Sequence, residues 1–164
     1  MQKTSRGATP ATTHTYRERL TPSLWTLGAA TVVAPMVALV FVPFDKTLGL
    51  VAGIAVSVLL VAALIAAAPR VEVTDGQLRA GRAHIPVALL GDAVALTGAE
   101  AREARGPGLR RDAWHLIRGG IDGLIRVPVL DPDDPTVEWV VSTRTPDRLA
   151  AAIRRARVRT ADRD

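Results

Sequence analysis

The segment Asp131-Pro132-Asp133-Asp134-Pro135 gathers three carboxylates within four residues. Such a group offers oxygen ligands to a hard cation. Its spacing does not match an EF-hand loop, however, and the two prolines mark a rigid turn between strands. Ser142, His115 and any of several acids supply the residue types of a nucleophilic triad, but no G-x-S-x-G context surrounds the serine. His84, beside Ile85-Pro86, suits a partly buried hydrogen-bonding residue. A further group is cationic: Arg148, Arg154, Arg155, Arg157 and Arg159 make the C-terminal segment strongly basic. These arginines suit a solvated helix face, an anionic lipid surface, or a protein or nucleic-acid contact, with nucleic acid the least expected. Cysteine is absent, which excludes a disulfide framework, a thiolate metal site and a cysteine nucleophile. No catalytic residue, cofactor or metal site is assigned from these patterns.

The elements that would position such groups begin with two charge-free apolar runs, 24–42 and 48–68. At 1.5 Å per helical residue they reach about 28 Å and 31 Å, against a hydrocarbon core of about 30 Å. The spacing predicts a two-helix membrane hairpin over 16–69. Ala30, Ala34 and Ala38 recur every fourth residue in the first run, as Gly49, Gly53 and Ser57 do in the second. An antiparallel hairpin would set Ala38 against Gly49, Ala34 against Gly53 and Ala30 against Ser57, because close approach over small residues is what packs helices in lipid. Self-association of two copies through Gly49-x-x-x-Gly53 is the competing use of the same residues, and chance in an alanine-rich run is the third. Pro35 removes one backbone donor and bends the first helix.

Lys3, Arg6, Arg17 and Arg19 against Glu18 make residues 1–23 basic, and Arg70, Arg79 and Arg82 follow the second run. Basic residues retained on the cytoplasmic side place both ends inside the cell membrane and the short loop outside. Tyr16, Arg17, Arg19, Trp25 and Arg70 have the make-up of headgroup anchors, and residues 1–15 read as a disordered tail. A cleaved signal peptide is the rival to the first span; the run is long for that role and lacks an A-x-A site.

After Pro69 the period drops to two. Segments 71–74, 77–80, 82–85, 93–97, 113–118, 124–130 and 137–143 alternate as strands, with Asp75-Gly76 suited to a type I′ hairpin turn. Residues 98–111 read as a short helical turn and a loop. Thr145 as cap, Pro146 at the first position and Asp147 near the positive end of the dipole start a final helix, with Leu149, Ile153 and Ala156 on one face. The fold class is therefore α+β: a transmembrane hairpin, then a small antiparallel β domain of about seven strands at 70–158 with its closing helix, and a polar tail at 159–164. Seven strands and a closing helix are analogous to pleckstrin-homology-type domains.

The order of Tyr16-Arg17-Glu18-Arg19-Leu20, two apolar runs, Leu78-Arg79-Ala80-Gly81-Arg82-Ala83-His84-Ile85-Pro86, Asp131-Pro132-Asp133-Asp134-Pro135 and Trp139-Val140-Val141-Ser142-Thr143-Arg144-Thr145-Pro146 resembles an actinobacterial membrane family of uncharacterised proteins, DUF3093. The chain departs from that pattern in having few aromatics around 20–25 and Glu138 in place of an aromatic. The resemblance implies a two-helix anchor with a cytoplasmic domain and brings no assigned activity. The expected function is a non-enzymatic, membrane-anchored interaction or surface-scaffold module. Its expected partners are the bilayer, anionic headgroups and an unidentified protein, with a homodimer open. An enzyme or accessory subunit using His115 or the 131–134 acids is the alternative. A small transport component is a weaker one, since only Thr26, Thr31 and Ser57 are polar within the runs.

Overall fold

The chain enters its fold one strand before the first apolar run. In the computed structural model, which describes residues 14–41, 43 and 45–162, β1 (His14–Arg19) precedes α1 (Leu24–Thr31), α2 (Val33–Phe41) and α3 (Lys46–Ala66). The Ser23 side chain caps α1 by accepting from the Thr26 N–H, and Asp45 caps α3 by accepting from the Leu48 N–H at 2.8 Å. The break at Val32 between α1 and α2 has a definite cause. Pro35 has no N–H for the Thr31 carbonyl and its ring crowds that group, and the Thr31 hydroxyl turns to the Gly28 carbonyl instead, at 2.6 Å.

α2 and α3 pack through small residues. Gly49, Gly53 and Ser57 are the buried positions of α3, and Ala30 is the buried position of α1. A Cβ added to Gly53 would collide with the Ala34 carbonyl oxygen and stand 3.2 Å from the Ala38 Cβ, so only glycine allows this approach. The remaining faces are uncovered: Trp25, Met36, Leu39, Val40, Leu50, Ile54, Val58 and Leu59 are all exposed.

Beyond the hairpin lie β2 (Arg70–Thr74), β3 (Gln77–Ala80), β4 (Ala83–Pro86), β5 (Val94–Leu96), α4 (Gly98–Arg105), β6 (Ala113–Leu116), β7 (Leu124–Pro128), β8 (Glu138–Ser142) and α5 (Pro146–Ala161). All seven segments read as strands are strands, and Asp75 and Gly76 take φ of 50° and 73°, as a type I′ turn requires. Two features differ from expectation. An eighth strand, β1, is added from upstream of the hairpin, pairing antiparallel with β2 from His14↔Thr74 to Arg19↔Arg70. Residues 14 and 15 therefore belong to a strand, while the rest of the expected tail, 1–13, lies outside the described residues. The second difference is one parallel pairing. The sheets run β1-β2-β3-β4 and β5-β7-β8-β6, and β8 lies between β7 and β6. An up-down-up path whose third strand inserts beside the first leaves those two parallel, as Trp114↔Trp139 and His115↔Val140 show.

The sheets enclose Val71, Val73, Leu78, Leu90, Ile125, Val127 and Val141, closed by Leu149, Ala152, Ile153 and Ala156 of α5. Burying each large aliphatic side chain contributes about 1.5–3 kcal/mol, so α5 is an integral wall of the core. α4 packs Ala101 and Ala104 on Leu124 and Val140 on the other side of the second sheet. Helix α5 continues to Ala161, so residues 159–161, expected in a tail, are helical, and 163–164 lie outside the described residues.

Candidate functional site

Alternation along β1 sorts its side chains. Tyr16, Glu18 and Leu20 turn toward the domain while Arg17 and Arg19 are exposed. Tyr16 Oη donates to Glu18 Oε2 at 2.6 Å, and the Thr143 hydroxyl donates to the same oxygen. Because both of those protons are committed, the Thr145 hydroxyl is the donor to Tyr16 Oη at 2.8 Å. Glu18 Oε1 accepts the Arg144 backbone N–H at 3.0 Å, with the Arg144 guanidinium 3.7 Å away. One carboxylate thus gathers three donors and a cation across 125 residues of chain. Burial raises the Tyr16 pKa above its ordinary value, and the bond to Glu18 adds to the rise. Thr145 does occupy the cap position of α5, but its hydroxyl makes no cap bond and is turned toward Tyr16.

The same junction carries a collar of arginines at the C-terminal end of α3. That end has no basic residue of its own in its last turn, although the exposed carbonyls there carry partial negative charge. Cations from elsewhere supply it. Arg19 Nη2 donates to the Ile65 carbonyl at 2.7 Å, and Arg118 Nη2 reaches the Ala67 carbonyl at 3.5 Å. Arg144 Nη2 donates to the Thr21 carbonyl at 2.8 Å, tying the segment between β8 and α5 to the entry of α1. Arg70 stands directly opposite Arg19 in the strand register. Arg82 follows Gly81, whose N–H donates to the Arg70 carbonyl at 2.8 Å. All five arginines are exposed. The domain also touches the hairpin at Gly120, where φ is +77° and an added Cβ would stand 2.7 Å from Ser23 Cβ.

The comparison with known families is decided by length of match. The family model described as a protein of unknown function (DUF3093) matches residues 15–153. The chain belongs to the DUF3093 family. No curated protein and no solved structure matches it. The DUF3093 match spans both halves of the Glu18 cluster, the hairpin and every strand from β2 to β8, and it ends at Ile153, before Arg154.

In this DUF3093 chain the residues singled out from sequence are dispersed over the hairpin, its base, the sheets and α5. Ala30, Ala34, Ala38, Gly49, Gly53 and Ser57 line the helix contact of the hairpin. Arg19, Arg70 and Trp25 lie at its base, Trp25 with 87% of its surface exposed. Arg17 instead pairs with Glu72 at 3.9 Å on the outer face of the sheet. Tyr16 is half-buried at the junction, its hydroxyl donating to Glu18 and accepting from Thr145.

The C-terminal arginines lie elsewhere. β2 leaves the hairpin at Arg70 and rises about 13 Å to Thr74. Beyond it Thr160 of α5 faces Gly76 of the next turn, its hydroxyl 3.3 Å from where a Cβ added to that glycine would stand. α5 therefore starts beside the Glu18 cluster and runs away from the hairpin, carrying Arg159 about 20 Å from Pro146. Arg148, Arg154, Arg155 and Arg159 are exposed, and Arg157 pairs with Asp92 at 2.6 Å. That direction carries Arg154 to Arg159 away from the hairpin base. His84 and His115 are exposed on different sheets. Asp131 and Asp134 accept from the backbone N–H groups of Asp133 and Thr136, which makes them turn formers, and no group of three or more potential metal ligands occurs among the described residues.

Sequence reasoning missed Glu18, Arg118 and Arg144 as junction residues. The available signal was the pair of motifs 16–20 and 139–146, whose members meet here.

Proposed function

We propose that this DUF3093 protein is a membrane-anchored interaction or surface-scaffold module, with its hairpin through the bilayer and its β domain standing on the cytoplasmic side. Two helices, Leu24–Phe41 and Lys46–Ala66, are long and apolar enough to cross a membrane. Their few buried positions are the small residues of their mutual contact, whereas a core helix of a soluble protein is covered on most sides.

The observation that carries the reading is the pairing of β1 with β2. These strands flank the hairpin in sequence, so their antiparallel ladder holds both flanks on one side and requires an even number of crossings. It also weighs against a cleaved leader, because cleavage after the first run would remove Tyr16, Glu18 and one strand from the sheet. The basic flanks, with Arg19, Arg70, Arg82, Arg118 and Arg144 around the hairpin base, favour the cytoplasmic side. The two sheets and closing α5 suit the pleckstrin-homology analogy, a fold that hosts binding far more often than catalysis. The dispersal of His84, His115 and the 131–134 acids favours interaction over reaction.

The chain's lack of cysteine makes the test direct. Single cysteines introduced as Thr47→Cys in the first turn of α3, beside the loop, and Asp162→Cys after α5 should divide in intact cells. A membrane-impermeant maleimide should label the first from outside and the second only after lysis. Labelling of both from outside, or release of the protein by alkaline carbonate, would overturn the proposal.

A further inference from the structure

We infer that Arg19, Arg70, Arg82 and Arg118 together clasp the phosphodiester headgroup of an anionic phospholipid at the base of the hairpin. The inference rests on the reading that the hairpin spans a bilayer.

Its first support is a like-charge pairing. Arg19 and Arg70 are directly opposed on neighbouring strands, an arrangement that is destabilising unless an anion lies between or beside the two charges. Arg17 and Glu72 in the adjacent row have opposite signs and pair. The second support is the charge account of the junction. Among the described residues, none of these four arginines forms an ion pair. Glu18 is already satisfied by Tyr16, Thr143 and Arg144, and Glu72 in the adjacent row pairs with Arg17.

Arg19 and Arg118 thus sit on carbonyls at one helix end, Arg70 opposes Arg19, and Arg82 lies in the turn whose Gly81 bonds the Arg70 carbonyl, with no ion-pair partner for any of the four among the described residues. The guanidinium chemistry suits phosphate, which it binds through paired N–H groups. Arg19 Nη2 donates to the Ile65 carbonyl of α3 and Arg118 Nη2 reaches that of its cap residue Ala67, so each guanidinium keeps further donors for an anion. The occupant follows from what adjoins the cluster. Leu24 and Trp25, each 87% exposed, begin the uncovered apolar face at the same level. A lipid fills both environments with one molecule, its phosphate on the arginines and its acyl chains along α1 and α3. A soluble phosphate fills only the first.

The test uses the full chain in nanodiscs containing equal phosphatidylglycerol and phosphatidylcholine, with the lipids retained on release counted by native mass spectrometry. The wild type should retain phosphatidylglycerol preferentially. Combined Arg70→Gln and Arg82→Gln should lower that preference by about fivefold per arginine, and Arg70→Lys with Arg82→Lys, which keep the charge but lose the paired donors, should fall between that variant and the wild type. Arg154→Gln with Arg155→Gln, at the far end, should leave it unchanged. Equal retention of both lipids by the wild type would overturn the inference, as would an equal loss in the far-end variant. Full displacement by soluble glycerol phosphate would overturn the lipid as occupant. Carbonate extraction separates the two levels: protein that washes out fails the anchor reading and this inference together, while protein that stays without lipid preference fails this inference alone.

Discussion

The two ends of the β domain are both rich in arginine and use it differently. At the hairpin base, Arg19, Arg118 and Arg144 are fixed on backbone carbonyls of α3 and of the entry to α1, and Arg144 also approaches Glu18. At the far end Arg157 is held by Asp92, while Arg154 and Arg155 project from the exposed face of α5. The residue type is the same, but Arg19 and Arg118 add donors to the last carbonyls of α3 and its cap, where partial negative charge is exposed. The far-end arginines decorate a helix whose stability comes from Leu149, Ala152, Ile153 and Ala156 beneath it. Density of charge along the chain therefore does not locate a working surface; the direction of β2 and α5 does.

That contrast breaks most readily at its centre. Glu18→Ala strips the acceptor from Tyr16, Thr143 and the Arg144 N–H, and should cost about 3 kcal/mol through lost charge-assisted bonds. Denaturant unfolding of the purified protein, followed by tryptophan fluorescence, would read it; a loss under about 0.5 kcal/mol, the scale of ordinary surface substitutions, would mean the cluster does not hold the junction. Next in size, Gly53→Leu forces a side chain against the Ala34 carbonyl and Ala38. It should cost about 1–3 kcal/mol by overpacking, lowering the melting temperature in detergent, whereas Gly28→Leu, with open space around its Cβ position, should not.

Smaller still is Tyr16→Phe, which removes one donor and should cost about 1 kcal/mol. Tyr16 is the chain's single tyrosine, so its ionisation can be followed alone by absorbance at alkaline pH. Its folded pKa is raised from 10.0 by burial and by Glu18, so the folded chain holds the proton more tightly than the unfolded chain. The stability it contributes is complete below about pH 10 and is lost as pH rises through the folded value. A midpoint at or below that of a free tyrosine would contradict the cluster geometry. The smallest effect sharpens the other side of the comparison: Arg154→Ala with Arg155→Ala should change unfolding stability by less than about 0.5 kcal/mol.

Much of the fold is legible residue by residue. The Asp75-Gly76 pair announces its turn because few residue pairs accept two positive φ values, and the structure has them there. Pro35 announces the break at Val32 because the missing N–H is a covalent fact. The small-residue spacing points to the face on which α2 and α3 meet, since period and residue size are both written in the chain. β1 was hidden for an equally physical reason. Tyr16-Arg17-Glu18-Arg19 is short, charged and placed just before an apolar run, so its local pattern matches an interfacial anchor. Its partner lies more than fifty residues away across the hairpin, and its apolar contribution to the core is mainly Leu20, just past its end. The parallel β6–β8 pairing was equally hidden, because nothing within either strand records on which edge the other will dock.

The sequence by itself determined the two apolar helices, their close-packing residues, seven of the eight strands and the start of the closing helix, since each depends on local period, cap or turn chemistry. Only the tertiary structure brings β1 back to the domain, gives Glu18 the donors Thr143 and Arg144 just after β8, and sets Arg19 and Arg118 on carbonyls at the end of α3. The physical reason is that these are contacts between distant segments, set by strand order and helix direction, and neither is encoded at the spacing of any single element.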